Sequence, residues 1–170
     1  MFGTTIWILR IANWLNWIGA ALFTLLLAAL LLASEHFYPA IAQAFEVRGQ
    51  AAVEAVWTWL VSVCAMVIPI AIFIHVIFTR LIALLRDAAV GQAFTEQNAH
   101  RLTTVGWTLL AVNILDLLFG QISIWASEVS GEYFGWTVSL TGWFAVLLLF
   151  LLARVFREGA AMREDLEGTV

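Results

Sequence analysis

Residues 56–78 read VWTWLVSVCAMVIPIAIFIHVIF, 23 positions without an acid, an arginine or a lysine. The hydrocarbon core of a bilayer is ~30 Å thick and a helix rises ~1.5 Å per residue, so ~20 such positions cross it. A segment alone in lipid must satisfy its own backbone hydrogen bonds, and a helix does so. The same reading finds three more spans. The first covers 14–33, with a helix that starts near Ile6; the third covers 105–125 and holds one acid, Asp116. The fourth, 136–156, is free of charge until Arg154. Around them lie an outer loop at 34–55, a hairpin at 79–104, a short acidic connection at 126–135 and a tail at 157–170.

The whole chain agrees with its second span. Of its 170 residues 63% are hydrophobic and 12% charged, where a soluble domain carries about a quarter charged. All eight basic residues are arginine. So few charges cannot cover a water-facing surface, which excludes a soluble enzyme. The apolar, aromatic composition excludes disorder, and a net charge of -4 excludes a basic nucleic-acid binder. The expected architecture is an all-α integral membrane protein, one domain over 1–170 built as a four-transmembrane-helix bundle with helical extensions.

Orientation follows from the arginines. Arg10, Arg80, Arg86, Arg101, Arg154, Arg157 and Arg163 fall on one side of a four-span chain, and Arg48 alone on the other. That bias places both termini and the 79–104 hairpin in the cytoplasm. Trp57, Trp59, Trp125 and Trp136 then lie near the outer ends of their spans, at the depth amphipathic rings prefer. Ala42-Gln43-Ala44 has the form of a signal-cleavage site but lies too far along, after too long an apolar run, so the first span is expected to be retained. Cys64 is alone at mid-span and reads as a small buried side chain.

The connections carry local signals. After Pro39, the spacing of Phe37, Tyr38, Ile41 and Phe45 fits a short amphipathic helix, with an irregular loop as the equal alternative. The second span runs on through Leu81, Leu84 and Leu85 to Gly91, a C-terminal stop, and Thr95 offers the N-cap of the next helix, followed by Glu96. Arg154–Glu158 and Arg163–Glu167 are i,i+4 pairs. A shift of 100 aligns Trp7 with Trp107 and Asn13 with Asn113, and a shift of 77 aligns Arg80 with Arg157. Both an internal duplication and chance similarity between apolar helices account for this.

Asp116 demands an explanation, because an aspartate near the bilayer centre costs ~2.5–3.5 kcal/mol on insertion scales. Asn113 and Gly120 share its face, extended by Gly106 and Ser123, and Asn13 and Asn16 offer partners from the first span. These four, Asn13, Asn16, Asn113 and Asp116, form the candidate intramembrane polar cluster. The two readings of Asp116 are a proton- or cation-binding group or counter-ion for a polar ligand, and a protonated or hydrogen-bonded bundle pin satisfied by asparagine. His75, near the inner end of its span, reads as a lone solvated or hydrogen-bonded group. His36 and His100 belong to opposite sides and cannot share a metal. No nucleophile elbow, HExxH pair, phosphate loop or CxxC motif occurs, so no enzyme, metal or cofactor is expected.

The stretch Arg86-Asp87-Ala88-Ala89-Val90-Gly91-Gln92-Ala93-Phe94-Thr95, with Asn98 and Arg101-Leu102, and the tail Val155-Phe156-Arg157-Glu158-Gly159 closing on Glu164-Asp165-Leu166-Glu167-Gly168-Thr169-Val170, carry a resemblance. The chain resembles the bacterial membrane-protein family catalogued as domain of unknown function 2975. Ala93 stands where such members often have proline, and Gly168 precedes the terminal threonine. The resemblance implies an inner-membrane location, no catalytic residues, and a link to a small cytosolic helix-turn-helix regulator. Gly91, Phe94, Thr95, Asn98, Arg101, Asp165, Glu167, Thr169 and Val170 are accordingly the candidate docking residues. In the bland reading of the same residues, Phe94 tucks under the turn and the tail packs against it. The expected function is a non-enzymatic interaction module in contact with the lipid bilayer, with a small transporter or ion-conducting homo-oligomer centred on Asp116 as the alternative.

Overall fold

A computed structural model describes residues 2–167, and the side chains up to 165. The elements are α1 (Phe2–Leu32), α2 (Ser34–Phe45), a 3-10 turn (Glu46–Arg48), α3 (Gln50–Ala89), α4 (Glu96–Ser130) and α5 (Leu140–Glu167). No strand occurs among the described residues. Four of the helices are long and apolar enough to cross a membrane, and within the apolar window of α1 or α3 only 11% of positions are buried in the protein. The rest would face water if the chain were soluble, so the apolar outer faces require lipid. The protein is a multi-pass membrane protein.

The 34–55 connection contains a helix rather than an irregular loop. In α2 the half-buried positions are Tyr38, Ile41, Ala42 and Phe45, an i, i+3, i+4, i+7 stripe, and Pro39 lies inside the helix on the exposed side. The fourth apolar stretch departs from its expected start: α5 begins at Leu140, and residues 131–139 are not helical. Gly131 and Gly135 adopt left-handed backbone, with φ of 71° and 55°, which breaks the helix that hydropathy alone allows.

The residues gather into two compact units. The first contains 2–16, 72–113 and 139–167, and the second 17–71 and 114–138. Within the first, the buried positions are Ile82, Ala99, Leu102, Val105, Val146, Ala153 and Ala160, joined by the polar Asn98. Within the second, Ala20, Ala52, Ala55, Cys64, Ala71 and Ala126 are buried beside Leu30, Val53, Ser123 and Ser130. Small residues dominate the second set, and small residues let lipid-embedded helices approach closely.

The expected small-residue face of α4 is used. In the first unit a Cβ on Gly106 would lie 3.1 Å from the Phe150 ring, and one on Gly142 would overlap the Asn113 amide. In the second unit a Cβ on Gly120 would overlap the Trp136 ring. On α4, Gly106 and Gly120 each receive a ring, whereas at position 113 the asparagine amide is itself received by Gly142 of α5.

Candidate functional site

The α3–α4 turn is the most tightly built polar feature of the first unit. α3 ends in a Schellman motif: Gly91, at φ 78°, donates its N–H to Ala88 O at 3.1 Å and Gln92 N–H donates to Asp87 O at 2.9 Å. α4 then starts from Thr95, whose Oγ1 accepts the Asn98 N–H at 3.2 Å, the cap that the sequence offers. Inside the turn sits Asn98, fully buried. Its Nδ2 donates to Gln92 O at 3.1 Å and Ala93 O at 3.0 Å, and its Oδ1 accepts from Arg101 Nη1 at 2.6 Å. The same Nη1 pairs with Asp87 at the end of α3. One buried amide thus satisfies two carbonyls that a tight turn leaves without helical partners, and the guanidinium ties that amide to the Asp87 carboxylate.

Phe94 closes the outside of this lock. Its ring centroid lies 5.0 Å from that of Phe156, and a Cβ on Gly159 would come within 2.8 Å of its Cδ1. A glycine at 159 is therefore what lets α5 pass under the ring. The residue is still 47% exposed, so it tucks against α5 and presents an apolar edge as well. Arg157 Nε donates to Glu96 Oε1 at 3.3 Å, a second tie between α5 and the start of α4. Asp165 is exposed on the last turns of α5. The Glu167 side chain, Thr169 and Val170 lie outside the described residues. Of the candidate docking residues, Gly91, Thr95, Asn98 and Arg101 build the turn, and Phe94 both packs and shows.

The four members of the intramembrane polar cluster take different partners. In the first unit Asn13 Oδ1 lies 3.0 Å from His75 Nδ1, so the histidine is hydrogen-bonded across helices. Asn113 donates through Nδ2 to Leu109 O at 2.8 Å, one turn back on its own helix. Asn16 is half-buried on α1. In the second unit Asp116 is exposed, and Trp136 Nε1 donates to its Oδ1 at 3.4 Å. The partner that the sequence reading assigned to Asp116 was asparagine; the structure supplies an indole. The Asn13–His75 pair was missed because 62 residues separate its members and nothing local marks it.

The 131–139 segment that carries Trp136 is held by side chains of the second unit. Glu132 N–H donates to Ser130 Oγ at 3.2 Å and Phe134 N–H to Ser127 Oγ at 3.1 Å, both serines belonging to the last turns of α4. Phe134 stacks on Trp59 at 4.4 Å, and Trp59 Nε1 donates to the buried Ser123 Oγ at 3.0 Å. Arg48 caps α4, donating through Nη1 to Ser130 O at 2.8 Å while Nη2 lies 2.8 Å from Glu132. The one arginine against the charge bias thus has both an acid and a helix C-terminus to neutralise.

Among the described residues no cluster of histidine, cysteine and acidic side chains could hold a metal ion. Four apolar helices define the class: a helical, multi-pass membrane protein. A family model described as protein of unknown function (DUF2975) matches residues 38–170, and the chain belongs to that family. No curated protein and no solved structure matches the chain.

Proposed function

We propose that the protein is a non-enzymatic interaction module of the bacterial inner membrane, with both termini in the cytoplasm, that docks a cytosolic protein through its α3–α4 turn and C-terminal tail. The observation that carries this reading is Phe94: an aromatic side chain beyond the apolar spans, 47% exposed, on a turn whose buried Asn98 side chain is fully hydrogen-bonded. Val90, also on the turn, and Met162, on α5, are exposed as well. A rigid turn offers an apolar edge at small entropic cost to a partner, because little remains to be ordered on binding. A small helix-turn-helix regulator, the partner class implied by the family resemblance, fits a site that reads protein and not nucleic acid. The test is co-purification from membranes of the full chain, of Phe94→Ala and of a chain lacking 165–170. A cytosolic protein retained by the full chain and lost from both variants supports the module; equal recovery from all three contradicts it.

A second reading has its own observation. Asp116 lies on the apolar α4, is exposed, and meets the indole of a non-helical segment. Irregular backbone at membrane depth is tolerated where protein or a wet cavity covers it, and broken helices often line transport sites. A small transporter or ion-conducting homo-oligomer built on Asp116 predicts that reconstituted proton or cation flux falls at least tenfold in Asp116→Asn. Unchanged flux removes that reading.

A further inference from the structure

One cleft of the first unit borders the turn lock and shares Arg101 with it. It has a volume of 320 Å³ and lies between the end of the apolar run of α3 and the start of α4, lined by Thr79, Arg80, Gln97, His100, Arg101 and Thr104. That size falls within the ~300–1,000 Å³ of small-ligand sites. Its lining contains two guanidinium groups, an imidazole, two hydroxyls and an amide, and no carboxylate.

The donors are in surplus. Among the described residues Arg80 has no ion-pair partner, and Asp87, the acid bonded to a lining residue, is committed to Arg101. Arg101 spends only Nη1 on Asp87 and Asn98, so its Nε and Nη2 hydrogens meet no group among the described residues. The lock therefore fixes a guanidinium whose remaining face is directed by geometry rather than by a flexible stem. A planar fork of this kind matches phosphate oxygens. His100 adds a ring whose Nδ1 lies 3.3 Å from Thr104 Oγ1.

The place of the cleft selects the source of the phosphate. Thr79 follows Phe78, the last residue of an uncharged run that starts at Val56, and Thr104 precedes Val105, where the next apolar run starts. The lining thus begins where the hydrocarbon ends, at the level of lipid headgroups. We infer that this cleft binds the phosphodiester headgroup of an anionic phospholipid. Basic pockets between transmembrane helices on the cytoplasmic side take such headgroups in general.

The experiment uses the full chain in neutral detergent, offered equal amounts of phosphatidylglycerol and phosphatidylcholine, with retained lipid counted by native mass spectrometry. Wild type is expected to retain phosphatidylglycerol about fivefold or more over phosphatidylcholine. The double variant Arg80→Gln/His100→Gln, whose side chains are exposed and outside the turn lock, should lose that preference, while Arg86→Gln, an exposed arginine that does not line the cleft, should keep it. No preference in wild type, or an equal loss in Arg86→Gln, overturns the inference. Full displacement of the lipid by millimolar inorganic phosphate also overturns it, since the site would then take free phosphate.

Discussion

Residues 90–95 and residues 131–139 both carry the chain out of one helix and into the next, and each exit uses a glycine with positive φ. The first connection is six residues of turn closed by backbone and side-chain hydrogen bonds that converge on the buried Asn98. The second is extended, and rings hold it: Phe134 on Trp59 and Trp136 over Gly120. Polar saturation suits a turn where water competes for every carbonyl, because a complete set of partners makes one geometry preferable. Aromatic packing with a few serine acceptors holds the second, where the Glu132 and Phe134 N–H groups find side-chain oxygens. Two connections of one chain thus reach rigidity by opposite means.

That contrast predicts a ranking of substitutions. Asn98→Ala removes three hydrogen bonds at a fully buried position and leaves Arg101 tied to Asp87 alone, so it should lower stability by ~2–4 kcal/mol. Thermal unfolding in detergent would read this; a loss below ~1 kcal/mol would break the claim that the amide organises the turn. Gly120→Leu must push the Trp136 ring off α4 and should cost ~1–3 kcal/mol, with new protease cleavage within 131–139. Unchanged cleavage would show that packing on Gly120 does not hold the segment. Arg48→Gln should cost ~1 kcal/mol, because its ion pair with Glu132 is half exposed and most of the effect is the lost cap on Ser130 O. The exposed Arg154–Glu158 pair is the control for both regions, and Arg154→Gln should change stability by no more than a few tenths of a kcal/mol.

The sequence made the helices legible because apolar length is a one-dimensional signal, and it marked the ends of the turn because Gly91 and Thr95 act within a few residues of themselves. It was blind to the function of Asn98 inside that turn, which depends on where the Gln92 and Ala93 carbonyls point after the Schellman geometry has formed. The break before α5 escaped for another reason. Trp136, Thr137 and Val138 are apolar or β-branched, and hydropathy scores an extended run and a helical one alike. Gly131 and Gly135 were the signal that could have found it. Asn13 and Asn113, paired by the shift of 100, also diverge: one reaches His75 and the other its own helix. Any shared ancestry of these positions has not kept a shared role.

The central claim is that the arginine-rich turn faces the cytoplasm, where its apolar edge can meet a partner, and that the aromatic segment faces the opposite side. Val90→Cys and Tyr133→Cys, both at exposed positions, test it in intact cells with a membrane-impermeant thiol reagent, against the buried Cys64 as internal control. The account predicts that position 133 reacts in intact cells and position 90 only after the membrane is opened. Labelling of position 90 from outside, with position 133 protected, would contradict it.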